Sequence, residues 1–136
     1  MTPLGQPAPV KLASLVTVRN VLLFSLAAEG VTAVVVILAP GLVAALLFGM
    51  EVSGTGVVFG RLLGFTLLAL VIACWPGADA RSGTRPGLRA VFVYNLLMAL
   101  YLAYLGLVEG SMGLLLWPAV AEHALVALLL GARNLP

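Results

Sequence analysis

The chain has 136 residues, of which 62% are hydrophobic and only 9% charged. A soluble domain carries roughly 25% charged residues, so a chain with a mean hydropathy of +1.18 lacks the polar surface it would need in water. The net charge of +2 comes from scattered basic residues without aromatic interleaving, which argues against nucleic acid as a partner and for membrane topology as their cause.

The length allows one domain, 1–136, and the single cysteine, Cys74, allows no intrachain disulfide. Residues 1–10 hold three prolines and no apolar run, so they read as an irregular tail. They lack the n-region and h-region of a signal peptide, and the apolar segment after them reads as an uncleaved anchor. A first span is predicted over 19–39, stopped or kinked by Pro40-Gly41. Residues 41–50 are apolar but too short to cross a bilayer, so they read as a short interfacial helix.

The second span, 56–76, contains GVVFGRLLGFTLLALVIACW and closes on Trp75-Pro76-Gly77. Twenty helical residues rise about 30 Å, the thickness of the hydrocarbon core of a bilayer. Gly56, Gly60 and Gly64 are spaced by four and share one side, where a second backbone can approach closely. The segment GADARSGTRPGLR, 77–89, is the most polar in the chain and reads as an aqueous loop. The third span is predicted over 90–108 and the fourth over 112–131. The predicted fold is an all-α, integral membrane four-helix bundle, with a kinked first helix followed by a short interfacial helix.

Four spans place both ends of this sequence on one side. Lys11, Arg19, Arg81, Arg85, Arg89 and Arg133 then share that side, against Arg61 alone near the other. Basic residues mark the cytoplasmic face, so the expectation is a bacterial inner-membrane protein with both termini cytoplasmic.

The informative residues are the polar ones inside the spans. Glu29 lies halfway along the first span and Glu122-His123 halfway along the fourth, while Asn95 sits about three residues, roughly 5 Å, from the centre of the third. Arg61 lies about one turn from the outer end of the second span. A charge at the bilayer centre costs about 2.5 kcal/mol or more, so these groups are expected to form a buried polar layer of Glu29, Asn95, Glu122, His123 and Arg61. Glu29 is expected to bond Asn95, His123 or Arg61, in that order of depth match. The alternative for Arg61 is to snorkel to the headgroups. Tyr94 and Tyr101 are seven apart and share a face that could line a pocket for a quinone or other flat amphiphile, whereas Tyr104 suits the boundary belt. His123 is the only histidine, so a metal or haem held by histidines would need a symmetric oligomer, and neither metal nor cofactor is expected. Ser14, Ser25, Ser53, Ser82 and Ser111 have no acid and histidine in a catalytic array, so no enzyme is predicted.

The layout, with the stretches GRLLGFTLLAL at 60–70 and PAVAEHALVALLLGAR at 118–133, resembles the small bacterial DoxX-like and DUF4345-like four-helix membrane proteins. The patterns ACWPG, 73–77, and YNLLMALYLAYLG, 94–106, are similar to those of uncharacterised proteins. The resemblance implies a four-helix membrane fold and, for some DoxX-like members, association with quinone-linked redox complexes; it assigns no site residue.

The leading functional expectation is a non-enzymatic multipass protein, an accessory subunit or packing module. Its partners would be lipid and, through the glycine faces, another protein or a second copy. The alternatives are a proton- or cation-coupled small-molecule transporter using Glu29 and Glu122, and a quinone-linked redox protein.

Overall fold

The computed structural model describes residues 17–77 and 85–134, which form five helices and no strand. Lys11, Asp79, Arg81 and Ser82 lie outside the described residues.

Helix α1, Val18–Leu38, has 21 residues and is opened by Thr17, whose hydroxyl accepts the Asn20 N–H at 3.1 Å. It stops because Ala39 precedes a proline, which disfavours the helical region at that residue. Ala39 sits instead at φ −140°, ψ 64°. Helix α2, Pro40–Phe48, starts afresh there, with the proline where a missing N–H is harmless. It closes on Gly49 at φ 69°, a left-handed turn that glycine adopts without steric cost.

Helix α3, Thr55–Cys74, ends where Trp75 is held extended before Pro76. Helix α4, Arg85–Leu107, starts five residues before the expected position 90, so Arg85 and Arg89 belong to the helix and not to the loop. Pro86 is compatible with a first turn, and arginine is a good helix former, so polarity alone does not place this boundary. Helix α5, Leu116–Asn134, starts four residues later than expected. The chain before it is diverted onto the end of α2: the Leu115 N–H donates to the Leu46 carbonyl at 2.8 Å, and a Cβ at Gly113 would fall on the Leu47 carbonyl.

Three helices, α1, α3 and α4, are long and apolar enough to cross a membrane, whereas the apolar part of α5, Leu116–Ala132, is shorter. The helices run up and down. α1 packs chiefly on α3 and α4 on α5, and α1 against α5 joins the two pairs. Leu22, Leu26, Val71, Cys74, Leu88, Val91, Val126 and Leu130 form one core where the start of α1 and α4 meets the end of α3 and α5.

The glycine stripe is occupied within the chain. Cβ atoms at Gly60 and Gly64 would lie 2.6 Å from Pro40 Cβ and 2.7 Å from Ile37 Cγ1, so α3 packs there on the α1–α2 corner. Gly56 faces Val52 of its own entry loop and meets no other helix. The opposite face of α3 presents Val58, Leu62 and Phe65 outward, each more than half exposed.

Candidate functional site

Six polar side chains from three helices meet in the middle of the bundle. Ser25 and Glu29 are one turn apart on the buried stripe of α1, which also carries Leu22, Leu26 and Ala33. Tyr94 and Asn95 lie at the midpoint of α4, which falls at Leu96 because that helix starts at Arg85. His123 comes from α5, with Glu122 beside it. Ser25 and Asn95 are fully buried, and Glu29 and His123 nearly so.

The hydrogen bonds order the layer. The Asn95 amide donates to Ser25 Oγ at 3.1 Å and to the Val91 carbonyl at 2.9 Å. A carbonyl only accepts, so it fixes which end of the amide is nitrogen. Asn95 Oδ1 therefore faces His123 Nδ1, 2.9 Å away, and His123 donates from Nδ1. The Tyr94 hydroxyl donates to Glu29 Oε2 at 3.0 Å, and its ring meets the imidazole edge-on at a centroid distance of 5.8 Å.

Glu29 Oε1 and Glu122 Oε2 stand 3.5 Å and 3.4 Å from the same Nδ1. Glu122 Oε1 is buried without a hydrogen-bond partner. A cleft of about 430 Å³ opens between α1 and α5, walled by Val21, Phe24, Leu125 and Leu129, and reaches Glu122. Chemically, two carboxyl groups facing one imidazole nitrogen form a pocket lined by oxygen and nitrogen donors that can take a cation.

The structure thus brings Glu29, Asn95, Glu122 and His123 together, as the depth argument expected. It departs from that argument in three places. The hydrogen bond to Glu29 comes from the Tyr94 hydroxyl and not from the Asn95 amide, whose two N–H groups go to Ser25 and Val91; His123, the second expected partner, stands 3.5 Å from Glu29 Oε1. Arg61 is exposed and takes no part in the layer, since its position on α3 points away from α1. Tyr101 is exposed and stacks on Tyr104, with ring centroids 6.4 Å apart, so it lines no buried pocket. Tyr104 donates to Glu109 at 2.7 Å. Tyr94 is spent on Glu29 and does not line the α1–α5 cleft. Ser25, considered from the sequence only as a catalytic serine, belongs to the layer as the acceptor of the Asn95 amide; its signal is a hydroxyl one turn before Glu29.

No protein-family model, curated protein or solved structure matches this chain, so the DoxX-like resemblance rests on layout and short motifs alone.

Proposed function

We propose that the chain is a small four-span protein of the bacterial inner membrane that binds a cation in its central polar layer and couples that binding to transport. Helices α1, α3, α4 and α5 are the spans. The apolar part of α5 rises only about 25 Å, a deficit that snorkelling flanks and a locally thinned bilayer accommodate. Both termini and the α3–α4 connection face the cytoplasm, because all basic residues except Arg61 fall at that end.

The observation that carries the reading is the convergence of Glu29 and Glu122 on one imidazole nitrogen with no arginine or lysine among the described residues in the layer. Hydrogen bonds that merely fix helix register need only neutral groups such as Ser25 and Asn95. Two carboxylates at this depth add a cost that a bound cation offsets. The accessory-subunit reading drew its support from free glycine faces, and Gly60 and Gly64 are already filled by α1 and α2.

The test is charge displacement in proteoliposomes on a solid-supported membrane, with jumps in the concentration of protons, sodium, potassium and manganese. A transient current absent from empty liposomes and lost in Glu29→Gln and Glu122→Gln is expected. Currents equal to empty liposomes, or unchanged in both variants, refute the reading.

A further inference from the structure

Glu29, Glu122 and His123 each offer one ligand atom, and these atoms lie within 4.8 Å of one another. We infer that these three side chains, with Asn95 Oδ1, form a site for one divalent first-row transition-metal ion. The inference rests on the cation reading above and names the cation.

The spacing of the donor atoms suits one ion. From His123 Nδ1 it is 2.9 Å to Asn95 Oδ1, 3.4 Å to Glu122 Oε2 and 3.5 Å to Glu29 Oε1. Metal–ligand bonds of about 2.0–2.1 Å set neighbouring ligands about 2.9 Å apart in an octahedron and about 3.3 Å apart in a tetrahedron. The three separations run from the octahedral value to slightly above the tetrahedral one. Hydrogen bonding does not explain them, because Nδ1 has one proton, Asn95 takes it, and contacts near 3.5 Å are too long for good bonds. The expectation that a metal would need an oligomer counted histidines and left out the carboxylates.

Charge and support also suit one ion. Two carboxylates, a neutral imidazole and a dication sum to zero, which suits a buried layer that Arg61 does not reach. Tyr94 holds Glu29 Oε2 and leaves Oε1 toward the ion, while Ser25 and Val91 hold the Asn95 amide so that Oδ1 faces it. Such outer partners orient metal ligands. The unpartnered Glu122 Oε1 gains a contact if that carboxylate binds through both oxygens. The α1–α5 cleft gives access to Glu122.

The donor set names the class. Magnesium and calcium take oxygen ligands, whereas an imidazole nitrogen among carboxylates suits zinc, manganese, iron or cobalt. On binding, the ion takes the Nδ1 lone pair and the ring proton moves to Nε2, so the imidazole stays neutral.

The full chain in lipid nanodiscs, stripped with chelator, is titrated with Co²⁺ and followed by its visible ligand-field bands. Bands saturating at one Co²⁺ per chain, abolished by Zn²⁺ but not by excess Mg²⁺, are expected. Glu29→Gln and Glu122→Gln should each weaken binding at least about tenfold, and Tyr94→Phe, which removes only an outer partner, by about tenfold. The wild-type competition stands even if a variant fails to fold. Absence of bands in the wild type, equal displacement by Mg²⁺, or unchanged affinity in folded Glu29→Gln and Glu122→Gln overturns the site. If Co²⁺ does not bind but proton or sodium currents still need Glu29, the metal assignment fails and cation coupling stands. If Co²⁺ binds and no cation gives a current, the metal site stands and transport fails.

Discussion

Asn95 ties three helices together, and replacing it measures what that junction contributes. Asn95→Ala removes a bond from α4 to Ser25 on α1 and another to His123 on α5. Interhelical hydrogen bonds in membranes average about 0.6 kcal/mol and reach about 1.7, so two give about 1.2 to 3.4 kcal/mol. The lower half of that range is expected, about 1.2–2.3 kcal/mol, because Glu29 and Glu122 stand near enough to close on His123 Nδ1 once Asn95 is gone. Ser25→Ala removes one bond and leaves the amide on the Val91 carbonyl, so about 0.6 kcal/mol is expected. The double variant should cost less than the sum of the two by about that same amount, the energy of the shared bond. The measurement is unfolding by SDS in mixed micelles with chelator present, followed by the fluorescence of Trp75 and Trp117. Strict additivity would mean that Ser25 and Asn95 are not bonded and that the ordering of the layer is wrong.

The contact between α1 and α3 has a sharper steric test. Gly64→Ala puts a methyl 2.7 Å from Ile37 Cγ1 and 3.0 Å from the Ala33 carbonyl oxygen; the backbone there cannot yield alone, and a loss of about 1–3 kcal/mol is expected in the same unfolding assay. Gly77→Ala meets nothing within 4 Å and should stay within about 0.5 kcal/mol; equal effects of the two would refute the packing. For topology, in a Cys74→Ala background, a membrane-impermeant maleimide on intact cells should label Glu109→Cys and spare Ser82→Cys. The reverse pattern would overturn the orientation drawn from the basic residues.

The sequence by itself determined that this chain is helical, where α1 breaks, and which polar side chains lie near the middle of their helices. Those properties follow from composition, from the position of Pro40, and from counting residues along an apolar run at a constant rise. Counting positions along the helices grouped Glu29, Asn95, Glu122 and His123, but it also drew in Arg61, which the bundle leaves outside. Tertiary structure alone decided azimuth, the direction in which each residue points around its helix. Almost every position in such a helix is apolar, so no polar face marks which side is inward, and Arg61 and Tyr101 could not be sorted from Tyr94 by pattern. Pairing was equally hidden. That Asn95 takes Ser25, Val91 and His123, and so leaves Glu29 to Tyr94, depends on which helices are neighbours. The start of α5 was set from outside its own sequence, by Gly113 and Leu115 docking on the end of α2. A local reading of hydropathy has no access to a hydrogen bond that reaches back across about seventy residues, from Leu115 to Leu46.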